Sequence, residues 1–420
     1  MRGSYVVGAA ALAAVVVATG CGGEDAGGGG AAASGARPLT IYSSLPLQGA
    51  SKNQSAAIGN GMKLALEQAG GKAGGHPITY VPLDDSTAQA GSWTPEATTA
   101  NARKAAQDDS AIAYLGEFNS GASAVSIPIL NEVGLAQNGL TNTAVGLTTD
   151  EPGSEPGEPE KYYPSGERHY VRIVPKDTIQ GAALVTLMKK DGCTKTFMTN
   201  DKEVFGSGLA RNVEIAAEAQ GLALAGNQGI DKNASNYRSL AQSAQRGGAD
   251  CMVYAGITAN NAGQVFKDFS AAMPEGRLYG PDGIAESGFA DPDEGGIPAE
   301  VGAKVKVVIA TLPPGEYPPE GQEFFDAYTR AYGERTPDPY AIYGYEAMSL
   351  TLDAIERAAE KGEVDRAAVI EQLFATKDRA SVLGTYSITP NGDTTLTDYG
   401  AYGIDDGRLV FEETIKAEAE

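Results

Sequence analysis

The feature that most constrains this chain is an alternation, run through twice, of short apolar segments of strand length with longer segments whose apolar residues recur at helical spacing. The first run opens with a strand at Leu39–Ser43 and a helix at Gly61–Gln68, then a strand at Pro77–Leu83 and a helix capped by Thr94 and started by Pro95. Its centre is a buried strand Ala111–Gly116, a polar loop Glu117–Ser120, a helical segment Val125–Val133, and a second strand whose loop ends in Asn138–Thr143. Asp150–Gly166, rich in Pro, Glu and Gly, reads as a solvated surface insertion. A strand at Tyr170–Val174 then starts the second run. Helices Ile179–Lys190, Gly208–Gln220, Tyr237–Arg246 and Ala262–Ala272 alternate there with strands Thr194–Thr199, around Ala223–Gly229, Cys251–Gly256 and one ending at Tyr279. Beyond it come a strand Val305–Leu312, helices Gln322–Tyr332, Tyr343–Glu360 and Asp365–Ala375, and three closing β segments. Strand and helix alternating at this spacing predict an α/β fold with parallel sheets, and two fresh starts predict two similar lobes.

In an open parallel sheet, the loops after neighbouring strands face one crevice, where ligands of α/β folds usually sit. Ser120 and the Thr141/Thr143 pair stand in two such loops. Ser120 also lies at or just before a helix N-terminus, which offers free N–H groups and positive dipole to an anion. These residues point to a small carboxylate held by hydroxyls and amides; taken alone, they read first as a helix cap at Ser120 and turn residues at the threonines.

The bulk numbers exclude several classes. With 42% hydrophobic and 20% charged residues over 420 positions, the chain can bury two cores. A net charge of -22 argues against nucleic acid, whose binding depends on Lys and Arg displacing counterions. Only two histidines, His76 and His169, are present, and both sit beside predicted turns as solvated side chains. There is thus little material for a metal centre, and no Ser-x-x-Lys or Gly-x-Ser-x-Gly element suggests a hydrolase. No cofactor is expected.

Residues 1–20 have the form of a signal segment: Arg2, then an apolar stretch Tyr5–Ala18 too short to span a bilayer comfortably. Ala18-Thr19-Gly20-Cys21 resembles a bacterial lipoprotein signal, in which the cysteine is lipidated, although Ala18 stands where leucine is usual. The Gly/Ala-rich residues 21–37 read as a tether to a membrane-anchored, extracytoplasmic protein. Cys193 and Cys251 each begin a predicted strand, and those strands can be parallel neighbours. An oxidising compartment permits a bridge between them; two buried thiols are the alternative.

Several stretches, in order, are similar to the type I periplasmic binding proteins that serve ABC importers for branched-chain amino acids. They are Ser44–Gly49, Gly75–Ile78 with Asp84 and Asp85, Val171–Ile173 with Asp177, Gln180 and Gly181, Asp201–Gly208, and Tyr345–Ala347. The resemblance covers roughly Pro38–Phe411 and implies two Rossmann-like lobes joined by three crossing strands near Val171–Pro175, Ile309–Pro313 and Leu383–Ile388. One lobe is then 38–172 plus 312–384 and the other 173–311 plus 385–420.

The resemblance also implies roles. Ser120 and Thr143 take the α-carboxylate of an amino acid, with Thr141 two residues earlier and Phe118 and Asn142 beside them. Asp282, in the Gly280-Pro281-Asp282-Gly283 turn, takes the α-ammonium, and Phe205 covers the ligand. Core packing is the alternative for Phe205, and a plain turn for Asp282. Ile257 stands where leucine-type binders carry tyrosine, which opens the site to amides or aromatic acids, and Asn119 replaces the family's first-lobe cysteine. The implied function is a monomeric, non-enzymatic receptor delivering solute to ABC permease subunits. A ligand sensor regulating a signalling partner is the alternative.

Overall fold

The computed structural model describes residues 36–417, so the predicted signal, the Cys21 lipidation site and all but the last two tether residues lie outside the described residues. The first sheet is built from β1 (Leu39–Leu45), β2 (Lys72–Ala73) and β3 (His76–Asp84). After a short ribbon, β4 (Ser86–Thr87) with β5 (Ser92–Trp93), it is completed by β6 (Ala111–Leu115), β7 (Ala136–Gly139) and β8 (Tyr170–Arg172). Its order is β2-β3-β1-β6-β7-β8, parallel except for β2. The second sheet has β9 (Lys195–Asn200), β10 (Ala223–Gly229), β11 (Cys251–Ala255), β12 (Arg277–Gly280) and β13 (Val305–Ile309). A hairpin, β14 (Arg379–Ser381) with β15 (Gly384–Tyr386), precedes its last two strands, β16 (Asp398–Asp405) and β17 (Arg408–Lys416). The order is β10-β9-β11-β12-β13-β16-β17, with β16 and β17 antiparallel.

Each sheet reverses its winding direction once, between β1 and β6 in the first and between β9 and β11 in the second. Such switch points leave a crevice at the carboxyl edge, where loops on either side diverge. The α/β class and two-lobe architecture read from the sequence are the observed ones. The helix Ala341–Glu360 packs on the helix Lys52–Gln68 and against β6 and β7, so the late helices return to the first sheet. The chain therefore passes between sheets three times, after β8, after β13 and ahead of β16. The third passage follows the hairpin β14–β15.

Cys193 and Cys251 form a disulfide, beside the parallel pair β9 and β11 as the sequence reading anticipated. One other expectation is corrected and another is narrowed. His169 is buried, not solvated: it lies between Asn131, whose amide is 2.9 Å from Nδ1, and the Tyr163 ring, and burial pushes its pKa down to about 3. The segment 150–166 is exposed over most of its length, as expected of a surface insertion, but not throughout. Tyr162, Tyr163 and Glu158 are buried, and Gly153 O accepts from Arg211 on the helix Val204–Gln220, at 2.7 Å from Nη2. Its polar composition concealed two tyrosines that pack beneath the helix Ser120–Asn131.

Arg172, at the end of β8, is fully buried, with Nε donating to Asp393 Oδ1 at 2.7 Å and Nη1 to Asn142 O and Ala144 O at 3.0 and 2.7 Å. Burial alone would raise the Asp393 carboxyl; the charges of Arg172 and Lys176 overcome it and hold that carboxyl below its ordinary range. Removing one partner of such a pair strands the other in low dielectric. Arg172→Met is expected to lower the unfolding free energy by about 3–5 kcal/mol in urea denaturation; a loss below about 1 kcal/mol would mean that water reaches the pair.

Candidate functional site

The first wall of the site follows from how the chain leaves β6. Gly116 has φ +148, and a Cβ there would lie 2.8 Å from Ser44 O, so this turn requires glycine. Asn119 is the extended residue before the helix Ser120–Asn131 and makes no side-chain cap, so the first-turn amides have no intrahelical acceptor. The Ser120 side chain does not cap that turn either. Its Oγ accepts from Ala144 N at 3.3 Å, which leaves the hydroxyl proton for another partner.

The next loop supplies the threonines. Thr141 Oγ1 donates to Phe118 O at 2.7 Å, so toward the pocket it can only accept. Thr143 Oγ1 is buried without a hydrogen-bond partner and keeps its proton available. Asn142 is behind the wall rather than in it. Its amide donates to Phe118 O at 3.1 Å, and Oδ1 accepts from Ser123 and Tyr170 at 2.9 and 3.2 Å, so it braces the two loops and does not line the pocket.

The facing wall comes from the carboxyl edge of the second sheet. Asp201 organises it: Oδ2 accepts from Ile257 N and Asn260 at 3.1 and 2.8 Å, and Oδ1 from Glu203 N at 3.0 Å. That places Phe205 and Ile257 against the cavity. Gly283 lets them close on each other, since a Cβ there would meet Gly256 O at 2.6 Å and the Phe205 ring at 2.8 Å. Asp282 is 5% exposed; Oδ2 accepts from Tyr340 Oη at 2.7 Å, and Oδ1 is buried without a partner. Burial pushes its pKa up to about 6, against the pull of the hydrogen bond from Tyr340.

Ser120, Thr141, Thr143, Phe118, Phe205, Ile257 and Asp282 therefore face one cavity of about 430 Å³ including its mouth. Six lining residues lie outside the predicted set: Trp93, Asn119, Gly121, Glu203, Gly283 and Tyr340. Trp93 is the chain's single tryptophan and directly precedes the Thr94 cap, a signal that could have been used; a Cβ on Gly121 would lie 2.7 Å from its ring. Tyr340 is brought in from more than fifty residues beyond Asp282, and nothing local in the sequence marks it. At the rim, Ser51 donates to Glu286 at 3.2 Å and Asn53 to Ser287 at 3.1 Å, linking the helix of the first sheet to loops of the second.

The lining contains two carboxylates, Asp282 and Glu203, and no Lys, Arg or His. Such a pocket suits a neutral or zwitterionic solute whose negative end is held by amides and hydroxyls and whose positive end meets an acid. Among the described residues, the one close group of potential metal-binding side chains is Cys193, Asp250 and Cys251, whose sulfurs are tied up in the disulfide.

A family model described as periplasmic binding protein matches residues 38–408. Of the curated relatives, a leucine-, isoleucine-, valine-, threonine- and alanine-binding protein of Pseudomonas aeruginosa is 25% identical over 242 residues, 56% of this chain, and the match spans 60% of that relative's length. An amino acid binding protein of the same organism is 24% identical over 86% of this chain and 88% of the relative. Among solved structures, a leucine binding protein from Thermotoga maritima superposes with a TM-score of 0.75 at 20% identity, covering 90% of this chain and 99% of that one. A solute binding protein of an ABC transporter from Rhodopseudomonas palustris in complex with p-hydroxybenzoic acid gives 0.74 at 16% identity, covering 91% and 98%. At these identities the structural likeness shows the fold.

The raised Asp282 pKa has a stability consequence whose sign is fixed. The folded state holds the proton more tightly than the unfolded one, so stability is full below about pH 3.8 and is lost as pH rises through about 6. Asp282→Asn is therefore expected to raise the ligand-free melting temperature at pH 7.5, by an amount corresponding to at most ~3 kcal/mol, and to leave it unchanged at pH 3.5. Equal melting temperatures at pH 7.5 would show that the carboxylate is solvated.

Proposed function

The chain belongs to the periplasmic binding protein family, and we propose that it captures a small amino acid between its lobes for delivery to the permease of an ABC importer. The observation that carries this reading is the convergence on one cavity of the Ser120 and Thr143 hydroxyls, from loops of one sheet, and the unpartnered Asp282 oxygen, from a loop of the other. In this reading the α-carboxylate takes the protons of Ser120 and Thr143 and the first-turn amides, while the α-ammonium lies between Asp282 and the lone pairs of Thr141 Oγ1. Phe118, Phe205, Ile257, Trp93 and Tyr340 surround the side chain. Charge-assisted hydrogen bonds of roughly 1.5–3 kcal/mol each, three or four in number, reach the ~8 kcal/mol of micromolar binding together with apolar burial. The relatives are named for binding, and the chain is a binding protein rather than an enzyme.

The same reading assigns one lobe to 38–172 plus 312–384 and the other to 173–311 plus 385–420, with closure about the three passages between them. The family implies an extracytoplasmic location. We add anchoring through lipidated Cys21, with residues 22–37 as the tether, and a monomeric receptor. The aromatic lining supports one further ligand class, a hydroxylated aromatic acid whose phenol donates to Asp282, in line with the p-hydroxybenzoic acid complex of the Rhodopseudomonas palustris structure.

A thermal-shift screen of amino acids, amides and aromatic acids followed by calorimetry tests the assignment. Ser120→Ala and Asp282→Ala are each expected to weaken amino acid binding at least about tenfold; unchanged affinity in both removes these residues from the site. Because an ammonium requires ionised Asp282, whose pKa in the empty site is about 6, affinity is expected to fall as the carboxyl protonates. It should be about tenfold weaker at pH 5 than at pH 7.5, whereas a phenolic ligand, which keeps a hydrogen bond to the protonated acid, would lose less.

A further inference from the structure

Asp177 and Gln180 belong to the helix Asp177–Lys190, which follows the first passage between the sheets, and neither lines the cavity. Both side chains are fully buried, and their hydrogen bonds run from one wall of the site to the other. Asp177 N donates to Thr143 O at 2.8 Å, which fixes the threonine loop to the start of this helix. One turn on, Gln180 Nε2 donates to Asp177 Oδ1 at 3.3 Å, and Gln180 Oε1 accepts from Asp282 N at 3.2 Å. Gln180 Nε2 also approaches Tyr399 Oη at 3.5 Å, and Tyr399 Oη itself donates to Pro175 O at 3.0 Å, so the amide is held from a third side.

We propose that Gln180, seated on Asp177, is a positioning residue that fixes the Asp282 turn relative to the Thr143 loop, so that both ends of the ligand meet a preset distance. This deepens the amino acid reading and rests on it for the ligand, but the bridge is a property of the empty protein. A carboxylate and a hydroxyl on different lobes are separated by a hinge, and each unit of play between them is entropy that binding must remove. A side-chain amide suits the task because it has one acceptor for the Asp282 N–H and a donor for Asp177, with a fixed geometry between them. Neither a carboxylate nor an ammonium could do both.

The groups facing Asp282 are consistent with this. Tyr340 donates to Oδ2 from the helix-preceding turn at 340, and Tyr343, Tyr399 and Asp177 surround the carboxyl from their own elements. Burial, reinforced by the charge of Asp282, pushes the Asp177 carboxyl well above the ordinary range. Asp177 Oδ2 and Thr143 Oγ1 are both buried without partners. A protonated Asp177 keeps Oδ1 as an acceptor for Gln180 without placing a second negative charge beside Asp282.

The test compares full-length wild-type protein with Gln180→Met, Gln180→Glu and Asp177→Asn, reading amide exchange at Asp282 and the ¹³C titration of its carboxyl in the ligand-free state. Gln180→Met removes both bonds. The Asp282 amide is then expected to exchange about tenfold faster. Gln180→Glu keeps the acceptor but loses the donor and adds a charge, so the amide stays protected while the midpoint rises. Asp177→Asn keeps the acceptor used by Gln180 and leaves the Asp282 amide protected. For whichever amino acid the wild type binds, Gln180→Met is expected to weaken affinity about tenfold at a melting temperature near that of Gln180→Glu. Wild-type amide exchange at Asp282 in Gln180→Met would overturn the bridge. Absence of any amino acid binding by the wild type would overturn the ligand reading alone, with the ligand-free amide exchange still deciding the bridge.

Discussion

A guanidinium cut off from water needs an acceptor for the protons it carries, and the way Arg172 meets that need sets the frame of this molecule. Asp393, two backbone carbonyls and the Thr148 hydroxyl surround it. The carbonyls belong to Asn142 and Ala144, on either side of Thr143, and Asp393 belongs to the last passage between the sheets. One buried cation thus ties a cavity-lining loop to the place where the chain crosses over. Because its acceptors come from segments more than two hundred residues apart, the arrangement persists only when both lobes and their connections are folded together.

Against that fixed frame the cavity itself is kept electrostatically unfinished. Its lining has two acids and no base, and one oxygen of Asp282 has no partner although it is buried. An unsatisfied buried acceptor is unfavourable in the empty protein. A solute that supplies a donor there gains that free energy back on closure, so the same feature that weakens the ligand-free state strengthens discrimination. The hydroxyls divide in the same manner: Thr141 has committed its proton to Phe118 O and can only accept, whereas Thr143 has not. The polarity of the site is therefore written in which protons the protein has already used, a distinction invisible in the residue types.

How much was legible beforehand differs between elements for physical reasons. The period of the apolar residues and the Thr94-Pro95 start gave most strands and helices close to their observed limits, because those signals are local, although the helix read from Gly61 starts at Lys52 and the one read from Val125 at Ser120. The pairing of Cys193 with Cys251 was legible because strands that neighbour each other in a parallel sheet bring their amino ends together. His169 was misread because a histidine beside turn residues carries no mark of the Asn131 and Tyr163 that enclose it. Asp150–Gly166 was legible as a surface insertion because its composition is that of a loop, but not that two of its tyrosines are core residues.

By itself, then, the sequence determined the α/β class, the two-lobe plan, and the strand ends at which Ser120 and Thr143 stand, since each depends on residues within about one strand–loop–helix unit of one another; Phe205 and Asp282 were legible only through the family resemblance. Only the tertiary structure decided that Tyr340 and Trp93 complete the cavity, that Asn142 braces it from behind, and that Arg172 and Gln180 tie its walls together. Those facts depend on which distant segments become neighbours and on how each buried donor finds its acceptor. Such satisfaction of buried polar groups is a property of the whole packed chain, with no local sequence signature.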